Sequence, residues 1–206
     1  MNQFWDDRYR NPEYAYGEAP NLFFEQQLGA LRPGVLLLPA EGEGRNAVHA
    51  ARLGWEVHAF DQSVEGQKKA LLLAQKHGVE IAYRVGDFEE MRYPKEMYDA
   101  VGLIFAHFPI EKRRLFHENI DLALKPGGVL IIEAFSKQHL EYVTTNPKVG
   151  GPRDIDLLYS IEEIQRDFQH YEVLKLIEQE VLLKEGAFHD GLGSVLRFVG
   201  RKRKTQ

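Results

Sequence analysis

Two glycines one residue apart, Gly42 and Gly44, stand between two short apolar runs, and an acid, Asp61, closes the second run. Asp87-Phe88 follows a third run, Ala106-His107 a fourth, and His189 lies in a late polar linker. These residue types suit a nucleoside ligand. Glycine has no Cβ, so the backbone can turn tightly and a ligand can come close. A helix starting at such a turn presents unpaired N–H groups and a positive dipole end. An acid at the end of the next strand accepts hydrogen bonds from ribose hydroxyls, and Asp61 falls near the roughly 20-residue spacing of that arrangement. Asp87 and Phe88 would offer an acceptor for an adenine amino group and an apolar wall for its plane. The pattern Gly42-x-Gly44-x-x-Ala47 also fits the dinucleotide fingerprint, so the turn alone leaves NAD and other adenosine ligands open. Where an oxygen or nitrogen nucleophile must lose a proton, His107 or His189 is the candidate general base; a soft anionic nucleophile needs none.

The elements that position these residues are legible in order. Val35-Leu36-Leu37-Leu38 is too short for a helix and suits a strand buried on both faces. Asn46 to Arg52 reads as a helix whose Ala47, Ala50 and Ala51 can lie close to a sheet, and Trp55 to Phe60 as the second strand. Ser63 caps a helix over 64–77 closed by Gly78. Strands follow at 79–85 and 98–105, then a helix over 111–124, the turn Lys125-Pro126-Gly127-Gly128, and a fifth strand over 129–134 with Glu133 near its end. Residues 136–159 read as a loop over the site, and Ser160 with Glu163 as a capping box for a helix to Phe168. Two strands, 171–183 and 193–200, joined by 184–192, form an antiparallel hairpin. Before all this, residues 1–33 hold a dense aromatic group, with Tyr14, Tyr16 and Gly17 in a possible lid, and a helix ended by Arg32-Pro33-Gly34. The expectation is a single α/β domain over 1–206: a seven-stranded Rossmann-like sheet, mostly parallel with an antiparallel C-terminal hairpin, and helices on both faces.

Composition narrows the function classes. The chain has 206 residues, 44% of them hydrophobic, and no cysteine, so it is globular and has neither disulfides nor thiol chemistry. The opening MNQFWDDRYR is no signal peptide and no apolar run spans a membrane, so a soluble cytoplasmic protein is expected. A formal net charge of −5 argues against nucleic acid as a partner. No spacing of His, Asp and Glu suggests a metal. A monomer or homodimer with a small-molecule partner is the expected state.

The ending bears on the ligand. A dinucleotide fold holds its second nucleotide with a second βαβαβ half, whereas this chain finishes with a hairpin. With GEGRNA at 42–47, Asp61, Gly86-Asp87-Phe88, LKPGG at 124–128 and IIEAF at 131–135, it resembles the class I S-adenosylmethionine-dependent methyltransferases over nearly its whole length. FWDDRY, YGEAPN, EAFS and HDGLGSVLRFV look like the small bacterial tellurite-resistance and thiopurine type. The resemblance implies S-adenosyl-L-methionine as cofactor, held by Gly42, Gly44, Asn46, Asp61, Gln62, Asp87, Phe88, Ala106 and Tyr16. It implies a small acceptor, such as a thiol or a selenium or tellurium oxyanion. Arg153 and Arg197 are the residues expected to hold an anionic acceptor, with Glu133 at the end of strand five beside them. The family usually carries an acid and a glycine where this chain has Leu38 and Ala40. Glu41 is the residue expected to take over the acid's role toward the cofactor's ammonium. A cofactor-binding protein without catalysis and an NAD-dependent oxidoreductase are the alternative readings. The strand-four end reads Ala106-His107-Phe108-Pro109 in place of the Asp/Asn-Pro-Pro-aromatic signature of base-methylating enzymes.

Overall fold

The computed structural model describes residues 3–88 and 91–204. Its five apolar runs become parallel strands: β1 (Val35–Pro39), β2 (Glu56–Asp61), β3 (Ala82–Val85), β4 (Tyr98–Ile104) and β5 (Leu124–Phe135). The hairpin of β6 (Tyr171–Glu185) and β7 (His189–Lys202) completes the sheet, with β7 antiparallel to both β5 and β6. The seven strands run in the order β3-β2-β1-β4-β5-β7-β6. The direction of winding reverses between β1 and β4, and open sheets bind ligands beyond the carboxyl ends of their strands at such a reversal.

Successive strand residues point to opposite faces, so the sheet supports two cores. On one face Leu37, Val101, Leu103 and Ile132 pack with Phe116 and Ile120 of α5 (Ile110–Ala123) and Ile164 of α7 (Ile161–Asp167). On the other, Leu36, Leu38, Val57 and Ile131 pack with Phe24 and Leu28 of α2 (Leu22–Gly29), Ala47 and Ala50 of α3 (Arg45–Arg52), and Ala70 of α4 (Val64–Lys76). Each such fully buried Leu or Ile contributes roughly 1.5–3 kcal/mol. The caps are as the sequence suggests. Ser63 Oγ accepts from Gly66 N–H at 3.0 Å, and the Ser160–Glu163 capping box closes in both directions. No described helix is long and apolar enough to cross a membrane.

Three elements differ from the sequence reading. Residues 3–9 form a helix, α1 (Gln3–Tyr9), which lies on α4 with Asp6 accepting from Ser63 Oγ and Glu65 N–H. The segment 136–159 is a helix, α6 (His139–Thr145), followed by two short 3₁₀ turns. The final turn is confined to residues 186–188, because the ladder continues through Leu183–Gly191, Lys184–Asp190 and Glu185–His189. Gly191 and Gly193 look like turn residues, yet they serve close packing: a Cβ on Gly193 would stand 3.0 Å from the His139 ring.

Candidate functional site

A cavity of about 950 Å³ lies beyond the carboxyl ends of β1 to β5. Its floor is the glycine turn. Gly42 and Gly44 take φ of 59° and 87°, which only glycine adopts without strain. A Cβ on Gly42 would meet the Tyr9 hydroxyl at 2.7 Å, and one on Gly44 the Ala70 Cβ at 2.5 Å. The turn therefore brings the backbone close to α1 and α4 as well as to the cavity. Ala40 (φ 56°) and Phe105 (φ 52°) also adopt the left-handed region, at the ends of β1 and β4, and both line the cavity. Strain of this kind collects at functional sites.

Two buried carboxylates hold the turn. Asp61 accepts from Gly42 N–H at 3.1 Å and Ser63 N–H at 2.9 Å, and burial pushes it up to about 6 despite those bonds. Glu41 accepts from Ala47 N–H at 2.7 Å and from the Asn46 amide at 3.4 Å, so its side chain caps the start of α3. Burial pushes Glu41 up to about 7. Leu38, where an acid was missing, lies in the apolar core, while Glu41 lines the cavity. Asn46 is drawn into structure as well: its side-chain oxygen accepts from Asn21 N–H at 2.9 Å. Gln62, Asp87 and Phe88 line the cavity beyond Asp61, with Phe88 set edge-on to Phe60 and Phe108.

The N-terminal segment forms the upper wall. Tyr16 and Gly17 line the cavity, whereas Tyr14 turns to α4 and donates to Lys69 O at 3.1 Å. Arg8 donates to the Tyr16 hydroxyl at 2.9 Å and stacks over Phe188, 4.4 Å from its centroid. Glu43 accepts from Ala15 N–H at 2.8 Å and pairs with Lys69. The segment is fastened on both sides of the cavity mouth.

The two histidines part company. His107 Nδ1 donates to Leu157 O at 2.8 Å and Nε2 accepts from Phe135 N–H at 3.4 Å. Burial pushes the ring down to about 3. Both nitrogens are committed, so His107 is a neutral strut in the cavity wall with neither a proton to give nor a lone pair to offer. His189 also lines the cavity, but among the described residues only its Nδ1 is bound, to Glu185 Oε2 at 2.9 Å. Ala106 faces the core and its carbonyl accepts from Tyr159 at 3.0 Å; Phe105 lines the cavity in its stead. Arg153 is exposed and outside the lining, because the chain turns it outward after Pro152. Arg197 pairs with the buried Glu133, which Asn21 also bonds at 2.8 Å, and Arg197 stacks on Phe23. That pair is satisfied under α2, away from the cavity lining. Sequence reasoning did not single out Arg8, Arg45, Phe105 or Glu185. The unusual Arg-aromatic density before residue 17 is the one signal that pointed toward the first of them.

Residues 38–128, from the end of β1 into β5, match the family model of a methyltransferase domain. No curated protein matches the chain by sequence. Solved structures share the fold. One reported for conversion of a disulfide bond into a thioacetal group during echinomycin biosynthesis aligns over 100% of this chain and 94% of its own, at 19% identity and a TM-score of 0.77. TehB from Haemophilus influenzae aligns over 98% of this chain and 66% of its own, at 17% identity and 0.69. A SAM-dependent methyltransferase from Anabaena variabilis aligns over 98% and 93%, at 16% identity and 0.70. At these identities the likeness is one of fold.

Proposed function

We propose that this chain is an S-adenosylmethionine-dependent methyltransferase acting on a small acceptor of soft sulfur, selenium or tellurium character. The observation that carries the reading is the pair of buried carboxylates, Glu41 and Asp61, facing one cavity at a glycine turn. An adenosine ligand that also bears an ammonium and a sulfonium fits this donor set: Asp61 for the ribose, Asp87 and Phe88 for the adenine, Glu41 for the ammonium. A dinucleotide fits it poorly. Its pyrophosphate needs the N-terminus of α3, and there the Ala47 N–H is already bonded by the Glu41 carboxylate, a like charge.

When bound, S-adenosylmethionine supplies a methyl group activated by its sulfonium. The protein's part is alignment and shelter. Tyr16, Phe105 and Phe135 wall the side beyond the glycine turn. Holding two reactants in line contributes about 7–11 kcal/mol at best. Calorimetric titration with S-adenosylmethionine, S-adenosylhomocysteine and NAD tests the reading. Saturable binding of the first two and none of NAD is expected, and failure of both at millimolar concentration would overturn it.

A further inference from the structure

Glu185 and His189 are the last ladder pair of the β6–β7 hairpin, opposed across residues 186–188. Opposed residues of an antiparallel pair point to the same face. His189 Nδ1 lies 2.9 Å from Glu185 Oε2, which also accepts from Arg45 Nη2 at 2.9 Å, while Oε1 accepts from Asn21 Nδ2 at 3.0 Å. Burial pushes the Glu185 carboxyl up, but the bond from His189 and the Arg45 charge outweigh it and hold it down at about 2. An ionised carboxylate only accepts hydrogen bonds, so Nδ1 carries the proton and Nε2 keeps its lone pair. Nε2 bonds to no group among the described residues, and the ring faces the cavity between Tyr16, Phe105 and Phe135, at 4.5, 4.5 and 5.3 Å between centroids. The charged and titratable groups around the ring are Glu185, Arg45 behind it, Arg8 and Tyr16 from the N-terminal segment, and His107 and His139. Burial lowers His189 below the usual histidine value, so the ring is neutral at neutral pH.

We propose that Glu185 is a positioning residue that presents His189 Nε2 as the general base of the transfer, and that the acceptor is a neutral thiol, not an oxyanion. The proposal rests on the methyltransferase reading. A thiol has a pKa of about 8.5 and is mostly protonated at neutral pH, so a base helps it; a metalloid oxyanion brings no such proton. His189 Nε2 takes the S–H proton as the acceptor sulfur bonds the methyl carbon. The electron pair of the broken carbon–sulfonium bond stays on the donor sulfur. The imidazolium that results is held against Glu185 until it releases its proton to water.

The test joins ¹⁵N NMR of the histidine rings in the ligand-free protein to kinetics with a series of thiols of graded acidity. His189 is expected as the Nδ1–H tautomer. Glu185→Gln offers one acceptor oxygen to three donors, and is expected to shift the His189 titration to lower pH and to lower kcat at least about tenfold with KM little changed. That loss should shrink as the thiol is made more acidic. An Nε2–H tautomer in the wild type, a measurement that needs no variant, would overturn the proposal, as would an equal loss across the series. Calorimetry on the same samples separates the two levels: no S-adenosylmethionine binding by the wild type sinks the methyltransferase reading and the base role with it, whereas binding with the wrong tautomer sinks the dyad alone.

Discussion

The hydrogen bonds to the Glu41 carboxylate come from neutral donors, the Ala47 backbone and the Asn46 amide among them, and the nearby Arg45 charge does not offset the cost of burial. Burial therefore prevails, and its pKa stands at about 7 against an ordinary 4.5; Asp61 stands at about 6 against 3.8. A folded state that holds its protons more tightly than the unfolded chain is favoured at low pH. The contribution from Glu41 is complete below pH 4.5 and is lost as pH rises through 7. Its size is about 3 kcal/mol at most. Buried neutral histidines such as His107 act in the opposite sense over the same range, so the Glu41 contribution is read against Glu41→Gln: the variant should gain stability relative to the wild type in thermal scans between about pH 5 and about pH 8, and bind S-adenosylmethionine at least about tenfold more weakly in calorimetry. A wild type–variant difference that is the same at the two pH values would refute the assignment. Glu41 could be singled out from sequence because the resemblance expects an acid where Leu38 stands. Glu185 could not, because residues 184–192 read as linker and so gave it no partner. Arg153 and Arg197 show the complementary difficulty: charge is visible in a sequence, but the face it points to is not.

The glycine turn works at the scale of elements through the approach of α3 to α4. A Cβ on Gly44 would stand 2.5 Å from the Ala70 Cβ and 2.8 Å from its Cα, at a φ of 87°. Gly44→Ala combines a left-handed alanine, about 1–2 kcal/mol, with an overpacked contact of about 1–3 kcal/mol. A loss of roughly 2–5 kcal/mol is expected, seen as a lower urea midpoint with an unchanged slope. A neutral effect would mean that α4 sits looser on the turn than these contacts require. The parallel units could be read because the strands are apolar stretches bounded by glycine, proline or an acid, and the helices start at a glycine turn, at the Ser63 cap or after Pro109. α1 could not, since aromatic residues at that density favour no one element; what makes it helical is the α4 surface that Tyr9 and Asp6 find. The hairpin tip was drawn too wide because Asp190, Gly191 and Gly193 carry turn chemistry inside a strand, where tertiary packing decides.

Across the whole molecule, the N-terminal segment and the last hairpin meet above the cavity. Ala187 N–H donates to Ala15 O at 3.1 Å, Arg8 stacks on Phe188, and Arg45 Nη1 donates to Tyr16 O at 3.2 Å. A Cβ on Gly186 would collide with the Ala15 carbonyl and stand 2.7 Å from Gly17 N. Gly186→Val, at a φ of 64°, should force the two segments apart. We expect a stability loss of about 2–4 kcal/mol, and a KM for the acceptor that rises several-fold more than the dissociation constant for S-adenosylmethionine. Equal changes in both would assign the seam to overall stability alone.

The strand order has a consequence for synthesis. β7, the last of the seven strands in sequence, lies between β5 and β6, so neither β5's outer edge nor β6 has its sheet partner until residues 189–202 emerge. At roughly 5–20 residues per second the chain takes about 10–40 s to translate. For most of that time the glycine turn and its acids exist without the wall that carries His189, and the apolar β5 stretch Val129–Phe135 is bare. Bare strand edges invite pairing with other chains. A chain interrupted before residue 189 would carry the glycine turn and its acids, lack the part of the cavity wall that holds His189, and expose the β5 edge, so β7 both closes the sheet and completes the cavity.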